Sequence, residues 1–314
     1  MMASVKVAII GVGGWGRRVV NGLSKLENCE LTAICDIDKG KAEEYSRAYG
    51  AQGFTDYNSM FEKAEELEAV AIVTPTPSHY DVAASAIKAG KHVFVEKPIC
   101  DSIVKARKLV EAARKKEVKL MVGHVERFNP ALQELKKAIT AGKLGRLIFL
   151  SARRVGRPVK VSEVGVIKDL AVHDIDAMRF LVGEPRSIFA RCGAVEKHPF
   201  EDHAEILMIF DEIQGFIEVN WLTLKKERLL TATGNRAFAT VDYIEKSLSI
   251  KYQDKVETPQ FPVDEPLKLE LSNFVNSIIN NEEPLVTGID GLRALEVAEA
   301  ALRSAKTGKL VKLC

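Results

Sequence analysis

The sequence predicts an α/β fold in two parts: an N-terminal, doubly wound parallel sheet, then an α+β domain on a mostly antiparallel open sheet. Three observations carry this prediction. Buried-type strands alternate with helices over the first 123 residues, a glycine-rich turn follows the first strand, and beyond residue 124 strands recur at short spacing.

The first part reads as follows. Residues 5–10 (VKVAII) are a β-branched run that ends at glycines, and residues 15–26 show helical spacing through Val19, Val20, Leu23 and Leu26. LTAICD (31–36) is the next strand, and residues 39–50 form a helix closed by Gly50. AVAIVTP (69–75) and KHVFVEKP (91–98) are strands separated by the helical stretch HYDVAASAIKAG. A charged helix from Ser102 to Lys116 leads into VKLMVGH (118–124). Such continuous apolar strands belong to a parallel sheet covered on both faces.

In the second part a helix (130–141), a strand (147–155) and the helix KDLAVHDIDAMRFL precede six strands: SIFARCGAVE, HAEILMIFD, QGFIEVNW, RLLTATG, FATVDY and SLSIKY. Strands joined this closely are expected to be antiparallel hairpins, because parallel neighbours need a crossover. Helices at 266–281 and 289–306 close the chain, and a boundary near 123 defines domains 1–123 and 124–314. Ile206 to Phe210 are apolar at five successive positions, so that strand is either central in the core or covered by a partner subunit.

At 314 residues the chain is long enough for two ordinary domains. Lys and Arg total 45 against 43 Asp and Glu, spread along the chain, which offers no basic footprint for nucleic acid. Five cysteines without a C-x-x-C pair fit reduced thiols in a cytoplasm and no zinc cluster. His198 and His203, five apart across a proline-containing loop, are poorly spaced for a metal, so none is expected. The opening apolar run is too short for a signal peptide, and no run approaches the ~20 residues of a membrane helix. The reading is a soluble, cytoplasmic protein with no membrane partner.

Gly11-Val12-Gly13-Gly14-Trp15-Gly16 satisfies G-x-G-x-x-G between a strand and a helix. Gly11 permits the tight turn, Gly13 lets backbone approach a pyrophosphate, and Gly16 allows close helix packing, which is the Rossmann arrangement. Twenty residues beyond Gly16, Asp36 ends the second strand, where a carboxylate accepts ribose hydroxyls and repels a 2′-phosphate. NAD is therefore the expected cofactor, with Lys39 and Arg47 as possible softeners of that choice. Thr74, Pro75 and Thr76 follow a strand at the sheet edge where ligands bind. His79 is either a neighbour of the nicotinamide ribose or a histidine at a helix start with no catalytic duty.

Glu96-Lys97-Pro98, after a Rossmann strand, resembles the Gfo/Idh/MocA family of oxidoreductases. The glycine loop, TPTPSH (74–79), VGHVERFNP (122–130) and DLAVHDID (169–176) extend the resemblance over nearly the whole chain. It implies a Rossmann domain followed by a sheet that commonly mediates oligomers, hence a homodimer or homotetramer. Glu96 and Lys97 then join the cofactor contacts.

Oxidising a secondary alcohol needs a base for the hydroxyl proton and alignment of that proton with the departing hydride. An amine serves as base once burial beside a cationic nicotinamide lowers its basicity, which suits Lys97. Asp169 and His173, four apart on an expected helix, share a face, and Asp176 continues it. The resemblance makes Lys97, Asp169 and His173 catalytic, with Asp169 and His173 also holding substrate. It leaves open which nitrogen takes the proton. Arg127 and Asn129 either contact substrate or serve the domain junction.

Arg153, Arg154, Arg157 and Lys160 in ARRVGRPVK are either an anion clamp or a solubilising loop, and alternation sends Arg153 and Arg154 to opposite faces. RRVG, EVGVIKDLAVHDID and VGHVERFNP together are similar to the family's UDP-N-acetylglucosamine 3-dehydrogenase branch, which implies a nucleotide-sugar substrate. An inositol or free aldose is the alternative substrate. A non-catalytic NAD-binding regulator is the alternative class, against which Lys97, Asp169 and His173 stand together.

Overall fold

The computed structural model describes residues 4–64, 66–157, 164–196 and 199–313, so Lys160, His198 and Cys314 lie outside the described residues. The chain packs into two compact units, Met1–His124 with Leu267–Leu292, and Val125–Pro266 with Arg293–Cys314. Recruitment of 267–292 into the first unit is not foreseen by a single boundary near 123.

The first unit holds six parallel strands: β1 (Val5–Ile10), β2 (Cys29–Cys35), β3 (Gln52–Phe54), β4 (Ala69–Ile72), β5 (His92–Glu96) and β6 (Leu120–Gly123). Their order is β3-β2-β1-β4-β5-β6, so the winding reverses between β1 and β4. Helices α1 (Gly16–Leu23), α2 (Lys39–Tyr49), α3 (Tyr57–Lys63), α4 (His79–Lys88) and α5 (Ile103–Lys116) connect them. β4 is buried at every position, as a strand covered on both faces must be. The short β3 and α3, absent from the sequence reading, arise where Asp56 caps α3 by accepting from Ser59 N at 2.7 Å.

The second unit contains α6 (Pro130–Thr140), β7 (Leu147–Val155), a π-helical turn (Ile167–Ala171) and α7 (Val172–Val182). Strands β8 (Ser187–Gly193), β9 (His203–Ile209), β10 (Gln214–Asn220), β11 (Glu227–Gly234), β12 (Phe238–Asp242), β13 (Ser247–Lys251) and β14 (Val256–Glu257) follow. Helix α8 (Pro266–Ile279) packs with the first unit, where Phe274 meets Phe94 with ring centroids 5.9 Å apart. Helix α9 (Gly288–Thr307) and strand β15 (Val311–Lys312) end the chain.

The nine-stranded sheet runs β14-β13-β12-β11-β7-β10-β9-β8-β15. One hairpin expected from the sequence is not formed: β10 and β11 are consecutive, but β7 lies between them, parallel to β10 and antiparallel to β11. The reason is that β7 and β10 are far apart in sequence, with α7 on the intervening path, so the crossover a parallel pair needs is available. The helix expected over 168–181 also differs, because its first turn is π-helical, with Val172 N–H reaching back to Ile167 O.

One face of this sheet is core: Leu150, Ala152, Ala204, Ile206, Met208, Ile217, Leu230 and Val241 pack with α6, α7 and the α9 residues from Ala294 on. On the other face Phe189, Leu207 and Phe216 form one row across β8, β9 and β10. Leu207 is only half-buried, so the chain's own helices cover one side of the apolar β9 and not both.

Asn129, 1% exposed, caps α6: its Oδ1 accepts from Ala131 N at 3.1 Å and its Nδ2 donates to Tyr243 O at 3.2 Å. Asn129→Ala removes both bonds and should lower stability by about 1–3 kcal/mol. Urea denaturation reads this as a lower midpoint at unchanged slope. An unshifted midpoint with lost activity would instead mark Asn129 as a ligand contact.

Candidate functional site

Because β1, β2, β4 and β5 are parallel, the segments that follow them leave the same edge of the first unit's sheet: the glycine loop, Asp36, the loop Thr74–Ser78 and Lys97. Ligands of open α/β sheets bind at that edge, where the strand order reverses. Gly11 has φ +91°, and a Cβ there would lie 2.7 Å from Val73 O. A Cβ on Gly16 would lie 2.1 Å from Gly11 O, so both positions admit only glycine. On Gly13 and Gly14 a Cβ meets nothing within 4 Å, which leaves their backbone open to a pyrophosphate before the start of α1.

Asp36 Oδ2 accepts from Val12 N and Oδ1 from Asp38 N, each at 2.9 Å. The carboxylate is thereby fixed, with lone pairs left for ribose hydroxyls. Ile37, overlooked in the sequence because it sits in a polar run, is 95% exposed beside Asp36 and offers an apolar surface to an adenine ring. These residues fit a dinucleotide without a 2′-phosphate.

Trp15 joins this loop to the strand bearing the lysine. Its Nε1 donates to Glu96 Oε1 at 2.5 Å, and Lys97 N donates to Glu96 Oε2 at 3.2 Å. Burial pushes the Glu96 carboxyl up to about 7, against the Trp15 bond and the Lys97 charge. His79 is 1% exposed, with Nδ1 2.9 Å from Pro98 O and Nε2 2.8 Å from Thr74 O. Both ring nitrogens therefore face backbone oxygens and tie the Thr74 loop to the turn after Lys97. Burial is the largest influence on this imidazole and lowers its pKa. Ser78 Oγ, 2.8 Å from Thr74 Oγ1 and from Pro75 O, closes the same loop, in which Thr76 begins a short 3-10 turn.

In the second unit Asp169 lies in the π turn and His173 in the first turn of α7, both half-buried. Just beyond His173, α7 is held by arginines. Arg154 donates from Nε and Nη2 to Asp174 at 2.7 and 3.1 Å and from Nη1 to Glu126 at 2.9 Å. Its guanidinium also lies 5.0 Å from the Tyr243 ring centre. Arg127 donates from Nε and Nη2 to Asp176, both at 2.7 Å, and Arg179 binds Glu184 and Asp176. Asp176 thus anchors Arg127, and is 1% exposed.

Arg153 and Arg154 do point to opposite faces. Arg153 donates to Glu218 at 2.9 Å and to Glu227 on the outer face of the sheet. Arg157 is exposed, 3.9 Å from Glu196. These three guanidiniums are engaged by carboxylates in three directions and do not form one clamp. Glu126 and Asp174, which lie within VERFNP and DLAVHDID, and Tyr243, which no motif marks, are partners the sequence reading did not name. Among the described residues no group of three His, Cys, Asp or Glu could hold a metal, and no helix is long and apolar enough to cross a membrane.

Fold and glycine-loop geometry define an NAD-dependent oxidoreductase. A family model described as "Oxidoreductase family, NAD-binding Rossmann fold" matches residues 5–124, and its companion, "GFO/IDH/MocA C-terminal domain", matches residues 132–240. The chain belongs to the Gfo/Idh/MocA oxidoreductase family. It is 29% identical to scyllo-inositol 2-dehydrogenase (NAD(+)) of Bacillus subtilis (strain 168), covering 100% of this chain and 97% of that one. It is 28% identical to inositol 2-dehydrogenase of Rhizobium meliloti (strain 1021), covering 96% and 97%. The solved structure of UDP-N-acetylglucosamine 3-dehydrogenase from Acidithiobacillus ferrooxidans superposes with TM-score 0.89 at 26% identity, covering 98% and 99%.

Between the ordinary carboxyl pKa of 4.5 and about 7, folded Glu96 retains a proton that the unfolded chain has released. Native protein then binds more protons than unfolded protein, so stability falls as pH rises through this window. Glu96→Gln removes the dependence. Urea unfolding across the window should show wild-type stability declining relative to the variant, and a difference independent of pH would mean that Glu96 titrates normally.

Proposed function

We propose that the protein oxidises a secondary alcohol of a sugar or cyclic polyol with NAD. One observation supports this above the others: the dinucleotide loop and Lys97 leave the same edge of one parallel sheet and are hydrogen-bonded to each other through Trp15 and Glu96. NAD, when bound, supplies the hydride acceptor. Gly13 and Gly14 admit the pyrophosphate, and Asp36 orients the ribose. Lys97 and His173 share proton transfer and orientation of the substrate hydroxyl, with Asp169 holding substrate or imidazole. The inositol dehydrogenases among the relatives favour a cyclic polyol or sugar. The nucleotide-sugar reading is supported by the UDP-N-acetylglucosamine relative; it draws nothing from Arg153 or Arg154, whose guanidiniums bind internal carboxylates.

The outer row Phe189, Leu207 and Phe216, with Phe216 38% exposed, supports a homodimer or homotetramer formed through the nine-stranded sheet.

Incubation with NAD and scyllo-inositol, myo-inositol, UDP-N-acetylglucosamine or free aldoses, followed at the nicotinamide absorbance band and by product mass, tests the reaction. Lys97→Met should lower kcat by about 100-fold or more. Undiminished turnover would remove Lys97 from the chemistry. Phe216→Lys should shift the sedimenting species toward monomer, and a monomeric wild type would refute the sheet interface.

A further inference from the structure

The second unit's arginines that are not exposed follow one pattern with one exception. Arg127, Arg154 and Arg179 each present the Nε/Nη2 edge of the guanidinium to a single carboxylate, and Arg153 binds Glu218 and Glu227. Arg228, half-buried in β11, donates only from Nη1, to Val155 O at 2.6 Å and Glu227 O at 2.9 Å. Its Nε and Nη2 N–H groups meet no acceptor among the described residues.

The electrostatic surroundings sharpen the exception. Two carbonyl oxygens hold the guanidinium in place but carry no net charge. Asp174 and Glu126 attract Arg228, yet both already bind Arg154, whose own charge repels it; Asp169 adds a further attraction. Burial and Arg154 prevail, and the guanidinium is pushed down to about 10. A cation partly removed from water with no carboxylate bonded to it gains when an anion meets it. The edge that remains is the one with which arginines bind carboxylate or phosphate side-on.

We propose that the Nε/Nη2 edge of Arg228 binds an oxyanion of the substrate, so that the sugar oxidised carries a phosphate or carboxylate group. This rests on the proposed alcohol oxidation and assigns its specificity to Arg228. β11 pairs Arg228 with Arg154 of β7, so the two side chains share the core face of the sheet, and Arg154 binds Asp174, the residue after His173. Pinning of Nη1 by Val155 and Glu227 preorganises the fork, so little side-chain entropy is lost on binding.

The test is calorimetric titration of NAD-loaded wild type, Arg228→Met and Arg228→Lys with UDP-N-acetylglucosamine, glucuronate and myo-inositol, with thermal melts alongside. At least one anionic compound should bind wild type and bind Arg228→Met about 30-fold more weakly. Arg228→Lys, which keeps the charge and loses the fork, should recover part of that loss. The response to myo-inositol should be the same in all proteins. Binding of UDP-N-acetylglucosamine identifies a phosphate as the oxyanion, and binding of glucuronate a carboxylate. If Arg228→Met melts well below wild type, Arg228→Lys carries the test through weakened anion binding at an unchanged myo-inositol response. The proposal is overturned if neither anion binds wild type, if the variants bind both anions as wild type does, or if myo-inositol weakens equally. An anion held through Arg228 whose addition never reduces NAD would refute the oxidation and leave the oxyanion site standing.

Discussion

Helix α7 is oriented by two buried ion pairs, and the candidate chemistry of the second unit depends on that orientation. Asp174 is gripped by Arg154 from β7, and Asp176 by Arg127 from the 3-10 turn Val125–Phe128. His173 stands immediately before them in the chain. With two carboxylates of one helix turn fixed to different elements, α7 can neither roll nor slide without stranding a charge in a site where Asp174 is 0% exposed. Removing one partner of such a pair costs about 3–5 kcal/mol, mostly for the unpaired charge left behind. Replacing both partners by hydrocarbon would cost little stability, so the pairs are better understood as devices of alignment than of affinity.

The first unit achieves alignment by hydrogen bonds, most of them to backbone. Asp36 holds Val12, Trp15 holds Glu96, Glu96 holds the Lys97 amide, and His79 spans Thr74 and Pro98. Every segment at the sheet edge is thus tied to a neighbour on another strand. The glycine loop and the Lys97 backbone, on separate strands, are thereby held in register.

Sequence and structure agree where a strong local pattern fixes the element. The strand, turn and helix around Gly11 to Gly16, the Asp36 position and the alternation of Arg153 and Arg154 all follow from neighbours within one turn or one strand. What was not legible is mostly long-range. The carboxylates that engage Arg153 lie 65 and 74 residues away, and no periodicity announces them. Insertion of β7 between β10 and β11 is a choice among topologies with equal local patterning. The π turn at Ile167–Ala171 differs from an α turn by a single extra residue in the hydrogen-bonded ring. His79 looked available to a ribose because the oxygens that face its ring belong to backbone, which sequence patterns do not display.

Overall similarity does not separate the substrates of this family. An inositol dehydrogenase at 29% identity and a nucleotide-sugar dehydrogenase at 26% match nearly the whole chain equally well. Such values measure what the relatives share: the Rossmann scaffold, the cofactor loop and the sheet. In the second unit internal carboxylates satisfy the buried arginines, so an arginine number read from the sequence says little about anions. The bonding state of each guanidinium says more, because a fork already filled by Asp or Glu can accept a ligand only by breaking a charge-assisted pair. Residue identity poses the question of substrate charge, and only the complete pairing of donors with acceptors answers it.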